Sequence, residues 1–549
     1  MFKYALIIRF ALLGLAFWTL FSKSIAQVVP NGTTPTTVST NAAGRIVVGI
    51  AGANASGISH NSYTEFSVPK TGVSLNNQGI NASTIVNEVT SSKRSQINGS
   101  LEVLGSRAHV IIANPNGITL DGASFINTGG VVLAGGAVRY ENSALTGNEN
   151  AIVSSGAGDI WVAGQGISGS MTTLQLLAAR LKIEGPIINT HVSPNANIAL
   201  NAGKSELELD SAVSPFNSIQ NWANRKDLTS ATTDILVDVT STASLSASKI
   251  NINVNSKGAG VSFAGSGKAS IGEFNITTNG KVAMRGGLIK AEKTVKIQSN
   301  SIDVLNTVEV QSNITSLTQD VILLSKIGDI NLNGQISGFT RNTTDPDTKG
   351  GVTIKSAGAI NIESENEKRL AIVFSSRDDL YVQSANNLIN DTGRLLSNAN
   401  TILKIGGNLK NLTSTVNAGP ENEVIKTTKS LNNWLGWFGF KRRITTHTIN
   451  WGSARIQSQL SYIAGNSIDI NASRIDNSGE IDALSGALTL NARSIVNRQF
   501  GTGSFNISKN CSLTCWSKGT STLSFSGGQI NANGDLPPSS DPVVMLGSL

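Results

Sequence analysis

The sequence predicts an all-β protein, a right-handed parallel β-helix with hairpins and loops projecting from it. Three observations carry that expectation. First, runs of four to six residues with alternating apolar positions recur along the chain, each closed by Gly, Asn or Ser; DIWVAG (159–164), KININVN (249–255), TVKIQSN (294–300) and DINLNG (329–334) are examples. Period-two runs between turn residues mark strands with one buried face, and long segments at helical period are missing. Second, SIDINASRIDN (467–477) aligns without a gap with ALTLNARSIVN (487–497), a period of 20. Twenty residues divide into three short strands and three turns, one coil of a solenoid that buries its apolar face only by stacking on the next. Third, only 14% of the 549 residues are charged and 5% aromatic, with 55 glycines, against roughly 25% charge in an ordinary soluble domain. Like residues of successive coils lie about 4.8 Å apart. Columns of Lys or Glu would repel at that spacing, whereas apolar columns and ladders of Asn amides hold together.

Residues 1–26 read as a secretory signal. Lys3 and Arg9 supply the positive end, Phe10 to Phe21 (FALLGLAFWTLF) the apolar core, and Ser24-Ile25-Ala26 the small residues a signal peptidase reads. The core is shorter than the ~20 residues of a bilayer span, which disfavours an anchor, and no later segment approaches that length. No membrane-spanning helix is expected after cleavage. Lys3, Arg9 and Lys23 leave with the signal, so the net charge falls from +7 to +4. The remaining basic charge is dispersed, which argues against nucleic acid as a partner. Residues 27–290 and 291–520 are expected to be β-helical, with excursions at 214–234, 338–350 and 426–451, and 521–549 is expected to be a tail.

Little in the sequence supports catalysis or cofactor binding. His60, His109, His191 and His447 are scattered singly and are expected in turns or at the surface, His60 as a local cap. Gly164-x-Gly166-x-x-Gly169 needs a following helix to hold a pyrophosphate, yet TTLQLL continues as strand. Asp345 and Asp347 flank a Pro turn and are too few for a Ca²⁺ cage. No metal and no catalytic residue is assigned. Trp434, Trp437, Phe438 and Phe440 beside Lys441, Arg442 and Arg443 have the composition of a protein or glycan contact, because Trp and Arg dominate binding hot spots. A hairpin or helix packed against the coils accounts for the same residues and is the preferred reading. Cys511 and Cys515 are the only cysteines; in an exported chain they are expected to pair and close a small loop.

Asn114-Pro115-Asn116-Gly117 stands between VIIA and ITL and suits a type I turn, with Pro at its second position and Gly at its fourth. Together with its flanks (95–129) it resembles the signature of two-partner secretion exoproteins, the filamentous-haemagglutinin and haemolysin group. GISHNSYTEFSV (57–68) resembles that family's Ser-His-Asn-x-(Tyr/Phe)-x-x-Phe segment, and NEVTSS (87–92) also fits. TLQLLAARLKIEGPI (173–187) is similar to its Leu-x-x-x-Ala-Arg-x-x-x-x-Gly-x-Ile stretch, and INVNSKGAGVSFAG (252–265) continues the likeness. The family's Asn-Pro-Asn-Leu motif has no counterpart; NASTIVNEV (81–89) occupies that region. The likeness covers 27–290, and the repeats at 467–497 resemble the family's haemagglutinin repeats.

The resemblance implies export through the periplasm of a Gram-negative bacterium and recognition by an outer-membrane β-barrel transporter with periplasmic receptor domains. It implies folding outside the cell, and residence at the surface or in the medium. It carries Asn114, Pro115, Asn116, Gly117 and Ile118 over as the secretion motif. The expected activity is that of an adhesin binding a host or neighbouring-cell receptor, protein or glycan. A haem-carrier exoprotein of the same export class is the alternative, and a β-helical polysaccharide-degrading enzyme a more distant one. A contact-dependent toxin is not expected, since 498–549 is too short to fold into one. Some family members hold themselves in the transporter by a Cys pair near the C-terminus, a second reading of Cys511 and Cys515 beside the structural clip.

Overall fold

The computed structural model describes residues 27–549 except 145–146, 341–348, 367, 414, 418–422, 433–440, 452–453, 457–459, 512–514, 533–543 and 546–549. The signal segment, Asp345, Asp347, Trp434, Trp437, Phe438 and Phe440 therefore lie outside the described residues. No helix occurs among those described, and none is long and apolar enough to cross a membrane. The chain divides into two compact units, residues to Ser230 with Thr242–Ser248, and Ala231–Ser241 with Lys249 onward.

Each unit is a parallel β-helix with three faces. In the first, Ile58–Phe66, Thr84–Val89, Ala108–Ala113, Thr128–Ala134, Thr173–Ala178 and Asn197–Ala202 stack in parallel on one face. Ser95–Ile97, Ile118–Leu120, Ile160–Val162 and Leu181–Ile183 form the second face. Ile46–Gly49, Val73–Asn76, Ser100–Leu104, Ala123–Ile126, Ile167–Gly169 and Pro186–Asn189 form the third. A coil visits the faces in turn, so the inward residue of one strand meets its equivalent one storey on: Val110 lies between Ile85 and Val131, and Ile112 between Asn87 and Leu133. Each fully buried aliphatic in such a column contributes roughly 1.5–3 kcal/mol.

Two features of the first unit break the parallel pattern. Val28–Pro30 runs antiparallel to Ile58–Phe66, and Thr37–Thr40 antiparallel to Ile46–Gly49, so both open edges of the first coil are covered, as exposed strand edges require. The second feature is a four-stranded antiparallel sheet outside the helix, ordered Val138–Asn142, Glu149–Ser154, Ser205–Leu209 and Ala223–Asp227. The excursion expected at 214–234 thus contributes a strand to it. Ala151, Val153, Leu207 and Leu209 of this sheet pack on Val86, Ile111, Val132 and Leu177, which point outward from the first face. That is why Ala108–Ala113, Thr128–Ala134 and Thr173–Ala178 are buried at every residue, while Ser95–Ile97, Ser100–Leu104 and Leu181–Ile183 alternate.

The second unit alternates as the sequence predicts: Lys249–Val254, Val352–Ser356 and Leu380–Ser384 bury every other side chain. The 20-residue repeat is in the expected register, with Ile468 beside Leu488, Asn471 beside Asn491, Ile475 beside Ile495 and Asn477 beside Asn497. An amide ladder runs through this unit. Asn390 Nδ2 donates to Asn411 Oδ1 at 2.8 Å, Asn411 Nδ2 to Asn477 Oδ1 at 2.7 Å, and Asn477 Nδ2 to Asn497 Oδ1 at 2.8 Å.

The excursion expected near 426–451 is a hairpin of Glu423–Asn432 and Lys441–Trp451, and it joins a second hairpin, Phe500–Cys511 with Cys515–Ser526, in one antiparallel sheet. Residues 521–526 and Gln529–Ala532, expected in the tail, are therefore strands; the latter pairs in parallel with Glu480–Ala483.

Candidate functional site

The motif turn sits at the corner between Ala108–Ala113 and Ile118–Leu120. The Gly117 N–H donates to Asn114 O at 2.9 Å, closing the four-residue turn expected from Asn-Pro-Asn-Gly. Asn114 is fully buried and every polar side-chain atom is used. Its Oδ1 accepts the Asn116 N–H at 2.9 Å, and its Nδ2 donates to Lys93 O and Ser95 Oγ, both at 2.9 Å. Asn116 Nδ2 donates to Ser91 O. Gly117 has φ +91°, and a Cβ there would meet Asp159 O at 2.5 Å and Arg94 Nη1 at 2.6 Å; only glycine fits. Ile118 is buried in the second face, and its N–H donates to Asp159 O at 3.0 Å.

Arg94 fastens this corner, a role the sequence reading missed. Its guanidinium donates to Thr119 Oγ1 at 2.9 Å, Ile118 O at 3.1 Å, Asp159 O at 3.0 Å and Asn116 O at 3.4 Å. It stands one coil before the turn, and Asp159 belongs to the coil after it. One side chain thus ties three storeys, and only the coil register reveals it.

The other family-like segments lie on the strands stacked beside the motif. Asn61 pairs in register with Asn87, and Asn87 with Ile112. Tyr63 Oη donates to Asn87 Oδ1 at 3.0 Å, and Asn87 Nδ2 to Ile111 O at 3.2 Å. Complete burial pushes the Tyr63 hydroxyl far above the ordinary phenol range. Asn61 Oδ1 accepts Thr36 Oγ1 and the Ala51 N–H, both at 2.8 Å, linking the N-terminal cap to the first coil. The region that lacks Asn-Pro-Asn-Leu makes its own turn: Asn77 exchanges hydrogen bonds with the backbone of Ala82, and Asn81 takes φ +55°.

Two histidines differ from expectation. His60 is no local cap. Its Nε2 lies 3.0 Å from Glu88 Oε2, and its ring packs against Tyr140 at 5.4 Å between centroids. Glu88 Oε1 accepts the Val138 N–H at 3.1 Å, so both residues hold the first strand of the extra-helical sheet. His109 is not at the surface but 1% exposed, stacked on Trp222 at 4.0 Å and 6°. Its Nδ1 accepts the Gly130 N–H at 2.7 Å, which leaves Nε2–H to donate to Val213 O at 3.1 Å. Burial, with Arg107 nearby, pushes its pKa down to about 3 against the pull of the Val213 carbonyl. Gly130 makes room for the stack, since a Cβ there would meet Trp222 Cε3 at 2.3 Å. His109 thereby locks the loop before Ala223–Asp227 onto the coils.

The remaining candidates stay apart. Gly164, Gly166 and Gly169 lie in a turn and the strand after it, with no helix following. Arg442 and Arg443 are on a strand of the second extra-helical sheet, paired in register with Leu431 and Ser430. Cys511 and Cys515 are the last register pair of their hairpin. Among the described residues no group of three or more His, Cys, Asp or Glu could hold a metal.

The sequence model of the TPS secretion domain family matches residues 26–284. Toxin CdiA of Yersinia pestis is 30% identical over 292 residues, a stretch that is 49% of this chain and 8% of that protein. Hemolysin of Proteus mirabilis is 31% identical over 202 residues, 33% of this chain and 12% of that protein. The chain thus spans a small part of the length of these relatives. The crystal structure of a filamentous hemagglutinin secretion domain aligns with a TM-score of 0.39 and 21% identity, covering 65% of this chain and 96% of that one.

Proposed function

We propose, from the premise that residues 26–284 form a TPS secretion domain, that this chain is a non-enzymatic exoprotein. In this reading an outer-membrane two-partner transporter exports it from the periplasm of a Gram-negative bacterium, and it acts outside as an adhesin. One observation carries the export reading. In the Asn114–Ile118 corner every polar side-chain atom of Asn114 is spent within the fold, as is Asn116 Nδ2, and with Arg94 the corner joins three successive coils. Such a corner serves as the early nucleus from which a stacked solenoid grows coil by coil, and growth outside the cell can draw the chain out. A transporter that reads these amides would do so before the corner closes.

Exchanging Asn116 and Gly117 for Ala tests this. The double variant is expected to accumulate in the periplasm, and normal surface levels would contradict the reading. Cell adherence that depends on the chain would support the adhesin role over the haem-carrier alternative; loss of growth on haem-carrier protein alone would reverse that preference. Arg442 and Arg443, with Trp434, Trp437 and Phe440 outside the described residues, are the proposed receptor contact. We assign Cys511 and Cys515 to a disulfide that clips their hairpin, supported by their register pairing. Release of surface protein into the medium by Cys511→Ser would favour the tethering role instead.

A further inference from the structure

The loop that precedes Ala223–Asp227 on the first unit holds apolar side chains out in solvent. Phe216 and Ile219 stand on it 69% and 80% exposed, and Val192, on the loop after Pro186–Asn189, is 80% exposed. The two loops are stapled side by side: Ser193 Oγ donates to Ser218 O at 3.1 Å, and Asn195 Nδ2 to Ile219 O at 2.6 Å. The base of the longer loop is fixed as well, since His109 Nε2 lies 3.1 Å from Val213 O and its ring stacks on Trp222. Single exposed apolar residues need no explanation, but several held out together on one tip mark an interaction surface.

The chemistry of this tip fits a lipid surface. Its two segments, VSPNAN (192–197) and SAVSPFNSIQNW (211–222), contain no charged residue, so no ion in them has to leave water. The backbone at the tip is satisfied from within. The Phe216 N–H donates to Ser214 Oγ at 3.4 Å, the Asn217 N–H to Ser214 O at 2.8 Å, and the Ile219 and Gln220 N–H groups to Asn217 Oδ1 at 2.8 and 3.1 Å. A protein partner can supply hydrogen bonds to a loop, whereas the apolar part of a bilayer cannot, so a loop that enters it has to make its own. Arg107 stands behind the tip. Its guanidinium carbon lies 5.6 Å from the Phe216 ring centroid and its Nε donates to Thr128 O at 2.9 Å, which fixes one cation at the level of the headgroup phosphates. We propose that this tip binds the surface of a phospholipid bilayer, with Val192, Phe216 and Ile219 entering the acyl boundary and Arg107 facing the phosphates. Interfacial binding of this kind grows with buried apolar area and with attraction to anionic headgroups, and needs no spanning segment. It goes beyond the export reading and does not depend on it, because it concerns the folded chain alone.

The experiment is flotation of purified residues 27–549 with vesicles of phosphatidylcholine, alone and mixed with phosphatidylglycerol. The unmodified chain is expected to float with both, and about fivefold more tightly with the anionic mixture at low salt, the worth of one cation near such a surface. F216S should lower the partition coefficient about 10-fold, the worth of one large apolar side chain. V192S/F216S/I219S should stay in the soluble fraction, with unchanged circular dichroism and melting temperature. R107Q should remove the advantage of the anionic vesicles, and R107K should keep it. No flotation of the unmodified chain with either vesicle would overturn the proposal. So would equal flotation of the triple variant, or an anionic preference that R107Q leaves intact. A concentration-dependent dimer in sedimentation velocity that the triple variant dissociates, without flotation, would assign the tip to a second copy and overturn it as well.

Discussion

His109 shows how one buried ring couples a coil to the sheet outside it. Its pKa is about 3 in the folded chain and close to 6.5 when unfolded. Between these values the unfolded state binds the extra proton, so the ring's contribution to stability is complete above about pH 6.5 and is lost as pH falls toward 3. At full loss it amounts to something on the order of 5 kcal/mol. Thermal melts from pH 7 to pH 4 are expected to show a falling melting temperature, with a shallower slope in His109→Gln; parallel slopes would refute the assignment. Gly117→Ala acts through shape. At φ +91° with Asp159 O in the way it is expected to cost about 1–3 kcal/mol, read as a lowered denaturant midpoint. Arg94→Ala should destabilise the same corner, and Arg94→Lys should not rescue it, because an ammonium cannot span carbonyls of two coils as the guanidinium fork does. The turn itself was legible from Asn-Pro-Asn-Gly, as its composition admits few other conformations. Arg94, His60 and His109 were not, because their partners lie 21 to 113 residues away.

At the scale of elements, the ladder Asn390–Asn411–Asn477–Asn497 gives the clearest prediction. Asn411→Leu removes the acceptor of one buried amide and the donor of another, and each orphaned group costs about 1–3 kcal/mol. Asn497 lies at the ladder's end and is only part-buried, so Asn497→Leu should cost less. Equal losses of denaturation free energy for the two variants would show that the ladder does not act as a chain. Strand alternation in KININVN and LYVQS announced the coils directly. VIIAN and GVVLAG, apolar at consecutive positions, carried a further signal that alternation alone misses: their outward residues Ile111 and Val132 are buried by Ala151, Val153 and Leu207. An uninterrupted apolar run in a solenoid strand therefore points to a second layer. The strand Cys515–Ser526 escaped notice because its residues TSTLSFS follow a Cys-bounded loop that reads as the start of a tail.

For the molecule as a whole, the sparse charge and the repeated Asn, Gly and Ser are consequences of stacking, since any residue type is set beside its like at strand spacing. The same stacking explains why the open edges of the first coil are covered by antiparallel strands from residues 28–40, which leaves growth to proceed in one direction only. Export follows from that asymmetry if the first coils, with the Asn114–Ile118 corner, form as the chain emerges. The most direct measurement is protease accessibility on intact cells expressing this chain with and without the two-partner transporter proposed for it. With the transporter the chain should be exposed to external protease or released to the medium, and without it the chain should be found only in the periplasm. Surface exposure to the same extent in both strains would contradict the account.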